Sequence, residues 1–222
     1  MLPRRLKELF YRCAGLPMFM NGVFYRYFRA PRTGLVKVHL GPGQKKYLQG
    51  WLNIDANMFT GKCDVWADLR RPLPFHNATV DAAYAHHVIE HLPNLKQHFR
   101  DVFRCLKPGG IYRVGGPNGE SAMKMFVAGQ PDWFTDFPDK RRSIGGKLEN
   151  FIFCRGEHLT ILTTSYLAEL MEDAGFQNVR TCLPTRETSR PDFFEDCLRI
   201  EWESDFVHPH TLLVEASKPM ES

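Results

Sequence analysis

No run of about 18 consecutive apolar residues occurs in this chain, so no segment is suited to cross a membrane as a helix. Nor does it contain a Cys-x-x-Cys pair. The six cysteines (Cys13, Cys63, Cys105, Cys154, Cys182 and Cys197) are scattered, which removes zinc-ribbon and thioredoxin-type chemistry. The N-terminus lacks an uninterrupted apolar stretch followed by a small-residue cleavage site, so no secretory leader is expected. Internal repeats and low-complexity tracts are missing too, which excludes solenoids and disordered linkers. At 222 residues, what remains is long enough to bury a full core without staples. A reducing cytosol is the expected setting.

Charge is unevenly placed. Residues 1–34 hold seven basic side chains (Arg4, Arg5, Lys7, Arg12, Arg26, Arg29, Arg32) against one acid, Glu8, a net of +6. The whole chain carries +4, so the rest is at −2 and has no general attraction to nucleic acid. Within this basic arm Leu6, Leu9, Phe10 and Cys13 share one helical face, and an aromatic segment with Phe19, Phe24, Tyr25, Tyr27 and Phe28 follows. Such an arm suits either packing on the body or peripheral contact of residues 1–30 with an anionic membrane.

From Leu35 onward the pattern alternates. Strands are expected at 35–40, 51–55, 63–67, 80–85 and 111–115, and later near 178–183 and 211–216. Asn94 stands where an N-cap belongs before Leu95, Phe99, Val102, Phe103 and Leu106, and Pro108-Gly109-Gly110 is the expected stop. Leu167, Leu170, Met171 and Ala174 form a second helical face with Gly175 as its cap. Alternation of this kind predicts an α/β fold with a mostly parallel sheet covered by helices.

The stretch VHLGPGQKKYLQGWLNID, residues 38–55, has a strand, a glycine turn and a later acid. A dinucleotide fingerprint requires a third glycine, where this chain has Lys46, and no Gly-Lys-Ser/Thr follows to make a Walker loop. The turn is left with backbone amides able to meet a small anion such as a carboxylate. Asp55 ends the second strand, placed to accept from both ribose hydroxyls. A ligand with ribose, adenine and an amino-acid carboxylate, but no pyrophosphate, is S-adenosylmethionine (SAM).

Five ordered motifs carry a wider resemblance. VHLGPG, GWLNIDAN, DVWADLRRPLPF, VDAAYAHHVIEHL and LKPGGIYRVGGPN resemble the successive strands and loops of class I SAM-dependent methyltransferases of the type 11 branch. EHLTILTTSYLAELMEDAGF and HTLLVEASKP resemble that family's late helix and last strand. The resemblance runs from about Val36 to Pro219. It implies a Rossmann-like seven-stranded sheet in the order 3-2-1-4-5-7-6, with helices on both faces, over residues 35–222, preceded by the helical arm of residues 1–34. It also implies a SAM site built from Gly41, Pro42, Gly43, Asp55, Ala56, Asp68, Leu69 and His86, with Asp68 on the adenine amino group and the Leu69 amide on a ring nitrogen. One departure stands out. Only residues 44–50 separate the glycine turn from the second strand, too few for an ordinary crossover helix, and the aromatic arm is expected to cover the face this leaves open.

Transfer of a methyl group to a hydroxyl needs a base, and imidazole suits neutral pH. His86, His87 and His158 are the candidate catalytic residues, with His91 close by; the resemblance puts the end of the fourth strand beside the methyl donor. No metal is expected, because EHL is widespread in metal-free type 11 members. The alternative is a set of His87, Glu90, His91 and His158, similar to the Glu-x-x-Glu-His metal site of plant small-RNA 2′-O-methyltransferases. The acceptor is expected between residues 117 and 160, as an insertion or lid combining Trp133, Phe134, Phe137, Phe151 and Phe153 with Lys140-Arg141-Arg142. Residues 184–209, with Arg186, Arg190, Glu201 and Glu203, are expected as its other wall. The reading is therefore a cytosolic SAM-dependent O-methyltransferase acting on a sugar, glycan or small metabolite, anionic if the basic run takes part. A metal-assisted nucleic-acid methyltransferase and a non-catalytic SAM-fold scaffold are the alternatives.

Overall fold

The structure, a computed structural model, describes residues 4–57 and 61–220. Seven strands form one sheet: β1 Lys37–Leu40, β2 Leu52–Asp55, β3 Val65–Trp66, β4 Val80–His86, β5 Leu106–Pro117, β6 Gln177–Cys182 and β7 Thr211–Ser217. Their order is β3-β2-β1-β4-β5-β7-β6. Every pair is parallel except those of β7, which runs antiparallel to both β5 and β6. The expected class and strand order are both present.

Among the described residues six α-helices surround the sheet: α1 Arg4–Phe28, α2 Leu95–Cys105, α3 Gly119–Val127, α4 Ile144–Phe153, α5 Thr164–Ala174 and α6 Pro191–Ile200. Asn94 caps α2 as its position suggests, its side chain accepting from the Gln97 amide, and Gly175 closes α5 with φ +101°. The Pro-Gly-Gly stop, by contrast, lies inside β5. Helix α2 ends earlier, at Cys105, and the irregular start of β5 absorbs the proline and glycines where the β4–β5 register shifts between Val80 and Ala82. The arm is one continuous helix carrying Pro17 within it, rather than two segments. Residues 117–160 fold as α3 and α4 around a small apolar cluster of their own, formed by Ala122, Met125, Phe134 and Ile152.

The two faces of the sheet are covered differently, and here the structure corrects an expectation. Ala83 and Ala85 of β4 point into the main core, with Phe99 of α2 and Leu167 and Leu170 of α5. The arm packs on this side: Met18 is fully buried, Tyr25 meets Phe75 edge-on at 6.1 Å, and the Asn21 amide donates to the Trp66 carbonyl. Ala82 and Tyr84 point to the opposite face, the one a first crossover helix would have covered. There Phe194 and Cys197 of α6, with Leu48 and Trp51 of the shortened β1–β2 connection, close it over. The open face is filled jointly, by Leu48 and Trp51 in and after the short turn of residues 44–50 and by α6 from the C-terminal half.

Among the described residues no helix is long and apolar enough to cross a membrane.

Candidate active site

The site lies where β1, β2 and β4 end, at the carboxyl edge of the parallel strands, the usual position for ligands in open α/β sheets. Gly41 leaves β1 with φ +71°, and a Cβ on it would stand 2.4 Å from Val88 Cγ2. Only glycine fits this turn. The amide of Gly41 donates to the Ile54 carbonyl, and the amide of Gly43 donates to Asp55 Oδ2 at 2.9 Å. Asp55 Oδ1 accepts from the Asn57 amide at 2.8 Å. The acid at the end of β2 therefore holds the glycine turn against the next loop while its half-buried carboxylate edges a cavity.

That cavity, about 490 Å³, is lined by Gly41, Gly43, Asp55, Ala56, Asp68 and Leu69 as expected, and also by Asn57, Arg70, Val88 and Leu92. Asp68 is buried and gripped by Arg70, whose Nε and Nη2 donate to both carboxylate oxygens at 2.7–3.1 Å. Arg70 in turn lies 3.5 Å from the centroid of the Tyr11 ring. Phe10 and Tyr11 are thus part of the cavity wall, contributed by α1. Burial raises the Tyr11 hydroxyl above its ordinary pKa, so it faces the cavity as a neutral donor. Sequence alone carried no sign of this, because the contact is tertiary. Pro42 and His86 do not reach this cavity, although both flank it in sequence.

A second cavity, about 450 Å³, adjoins the first and is lined by Phe137, Phe151, Trp202, His210 and Asn150, with Lys46 and His86 at its base. His210 stacks on Trp133 at 4.3 Å with 7° between the planes, and Glu203 fixes its Nδ1 at 2.9 Å. Of the expected acceptor aromatics, Phe137 and Phe151 line this cavity, and Trp133 backs it. The basic run Lys140-Arg141-Arg142 stays out of its wall, and Arg141 faces Asp139 and Glu149 instead. Of the segment 184–209, Trp202 alone lines the cavity; Glu201 is buried elsewhere against Arg113.

The four candidate histidines divide. His87 and His91 line both cavities, while His86 and His158 line the second only. His86 is buried, with Lys46 Nζ 2.7 Å from its Nδ1; burial, His87 and Lys46 all push its pKa well below the ordinary value. Its accepting nitrogen is already taken by an ammonium. His87 is strained, with φ +56°, as residues at functional turns often are. Its Nε2 meets Thr211 Oγ1 at 3.2 Å, and its Nδ1 lies 3.4 Å from Glu90 Oε1. Glu90 is 1% exposed, and neither carboxylate oxygen has a hydrogen-bond partner among the described residues. Burial opposes its ionisation, but His87 and His91 outweigh that and hold its carboxyl below the usual range.

A glycine cradle that a Cβ would fill, an acid at the end of β2 and a second acid in the next loop fit SAM at the first cavity. Residues 22–114 match a family described as methyltransferase domain. The chain is 37% identical over 60 residues, 27% of its length and 18% of the relative's, to a sterol 4-C-methyltransferase of Caenorhabditis elegans. Over 105 residues, 47% of the chain and 32% of the relative, it is 30% identical to a probable SAM-dependent methyltransferase of Mycolicibacterium smegmatis. The chain thus spans under a third of the length of either relative. A SAM-dependent methyltransferase structure from Thermotoga maritima superposes with a TM-score of 0.54 at 14% identity, covering 96% of this chain and 95% of that one. Residues 22–114 are thus similar to a methyltransferase domain, and the sheet order and overall fold are similar to those of a SAM-dependent methyltransferase structure.

Proposed function

We propose that the chain methylates a hydroxyl of a ring-bearing small molecule or glycan, with His87 as the base. The observation that carries this reading is the meeting of two cavities at His87, one with the glycine cradle and the other walled by aromatic rings. SAM, when bound, supplies a methyl group already activated on a sulfonium, so the protein has mainly to position the acceptor and remove its proton. The Glu90 carboxylate beside His87 Nδ1 favours the tautomer with its proton there, which leaves Nε2 to accept the proton of an acceptor hydroxyl in place of Thr211. Phe151, Trp202 and the stacked Trp133–His210 pair offer flat faces for a sugar or similar ring.

Lys46 is the only lysine or arginine among the described residues lining the acceptor cavity, and burial lowers its pKa. A wall with so little positive charge suits a neutral or singly anionic acceptor better than a nucleic-acid strand, which calls for a basic track.

The first test is calorimetry with SAM and S-adenosylhomocysteine. Asp55→Ala removes a charged acceptor and releases the Gly43 amide, so binding is expected to weaken by about 1.5–3 kcal/mol, roughly 10- to 150-fold. Unchanged affinity in the variant would place the cofactor outside this cavity and end the reading.

A further inference from the structure

Glu90 is surrounded by three imidazoles, those of His87, His91 and His158. His91 Nε2 lies 3.9 Å and His158 Nε2 4.0 Å from its Oε1, and ligand atoms of these three residues all fall within 4.8 Å of one another. The far nitrogens are pinned: His91 Nδ1 donates to the Glu157 carbonyl and His158 Nδ1 to the Ile152 carbonyl, each at 2.9 Å. A carbonyl can only accept, so each Nδ1 carries a proton, and in the tautomer this selects Nε2 presents its lone pair on the side of the carboxylate. In that tautomer two lone pairs face a buried carboxylate whose nearest donor is His87 Nδ1, 3.4 Å from Oε1, and a cation among the three would bind both rings and the carboxylate together. Backbone carbonyls holding the outer nitrogens of ligating histidines are the usual support of a metal centre. Ligand bonds of about 2.0–2.2 Å put neighbouring ligand atoms about 2.8–3.6 Å apart at angles between 90° and tetrahedral, so side-chain movements of about 1 Å would close this set.

We infer that Glu90, His91 and His158 bind a divalent transition-metal ion of the zinc or cobalt type, with an open position toward the acceptor cavity. Imidazole and carboxylate donors favour such ions over magnesium or calcium. The backbone helps the set form: a Cβ on Gly116 would stand 2.8 Å from Glu90 Oε2, so glycine there lets β5 pass close to the carboxylate. If methyl transfer takes place as proposed, the ion would hold the acceptor oxygen and lower its pKa, and that role rests on the proposed function. Binding of the ion does not.

Untagged protein stripped with a chelator should take up one equivalent of Co2+, with the strong visible absorption of a low-coordinate site, and Zn2+ should displace it. His91→Gln and His158→Asn should each weaken Co2+ binding at least 10-fold, and in His158→Asn, which lies outside the first cavity, S-adenosylhomocysteine binding read by calorimetry should stay intact. Glu90→Gln should abolish the spectrum. A wild-type spectrum indistinguishable from aqueous Co2+, or a spectrum unaltered in both histidine variants, would overturn the assignment. Because cofactor binding is read separately, its loss would count against the methyltransferase reading and not against the metal site.

A second inference rests on α1. One side of this helix is docked on the body, but Leu9, Leu16, Met20, Val23, Tyr27 and Phe28 on its other side are exposed, at heptad-like spacing. We propose that this face lies on an anionic lipid surface. The arm's net charge of +6 selects that occupant, since it draws an anionic bilayer and repels a second copy of the same arm. The full chain should sediment with vesicles of phosphatidylcholine and phosphatidylglycerol, weakly with phosphatidylcholine alone, and less in high salt. Leu16→Asp with Met20→Asp should remove it from the lipid and leave cofactor binding unchanged. Failure to sediment, or a dimer that the same double variant dissociates, would refute the proposal.

Discussion

Arg113→Met is expected to destabilise the fold by about 3–5 kcal/mol, a large share of the roughly 5–15 kcal/mol available to an ordinary domain. Arg113 is wholly buried in β5. Its Nε and Nη2 donate to the two oxygens of Glu201 at 2.8 Å, and its Nη1 donates to Glu215 Oε1 at 2.6 Å. Burial opposes its charge, but the two carboxylates hold its pKa above the ordinary value. Removing the guanidinium leaves two buried carboxylates facing each other with no cation. The neighbouring groups, Tyr84, Thr185, Thr188 and Ser189, are all donors already used on these oxygens and cannot replace it. Urea unfolding measures the loss, and changing both acids to glutamine in the same chain should restore part of it. A single variant within about 1 kcal/mol of wild type would mean that the carboxylates are solvated or protonated in the native protein.

The same network sets an acid limit. Burial raises the Glu215 carboxyl, but Ser189, Thr188 and Arg113 together bring it below its ordinary value. A depressed native pKa means that the unfolded chain binds the proton more readily. Its stabilising contribution is therefore complete above the ordinary carboxylate pKa and is lost as pH falls through the native one.

Neither Arg113 nor its partners could be read as a unit from the chain, and the reason is physical. Period-two and helical patterns report which side of an element is apolar, so β1, β2, β4, α2 and α5 were legible in their alternation and caps. The motifs around Gly41, Asp55 and Asp68 were legible because a glycine turn and the acids after it must follow in order along one half of the sheet. A charge network that joins β5, β7 and the segment after α6 is a matter of long-range pairing, which no local pattern encodes. The same holds for Tyr11. It reaches the first cavity only because α1 folds back along the sheet, and the choice of which face α1 would cover turned on the large anchors Leu48 and Trp51 at a connection that looked merely short. The histidine cluster lies between these cases. Glu90 and His91 adjoin in sequence, but His158 arrives from beyond α4, and its carbonyl-pinned tautomer is visible only in three dimensions.

Gly41→Ala should weaken S-adenosylhomocysteine binding by about 100-fold or more, equivalent to roughly 2.7 kcal/mol or more. Two costs combine. Alanine at φ +71° bears the left-handed penalty of about 1–2 kcal/mol. Its Cβ also meets Val88 Cγ2 at 2.4 Å and Cγ1 at 3.1 Å, and a branched side chain at the start of the loop after β4 has little freedom to retreat. The turn must then shift, and with it the Gly43 amide that anchors Asp55. Gly43→Ala separates the two costs, since Gly43 has φ +59° but no atom lies within 4 Å of where its new methyl group would stand. It should lose only about 5- to 30-fold, the equivalent of the backbone penalty alone. Adding Val88→Ala to Gly41→Ala removes both clashing methyl groups and should bring the double variant close to Gly43→Ala. Three affinities from one calorimetric series thus test the geometry as well as the location: if Gly41→Ala binds as wild type does, this turn does not cradle the cofactor, and if the double variant shows no recovery, the loss comes from the backbone rather than from Val88.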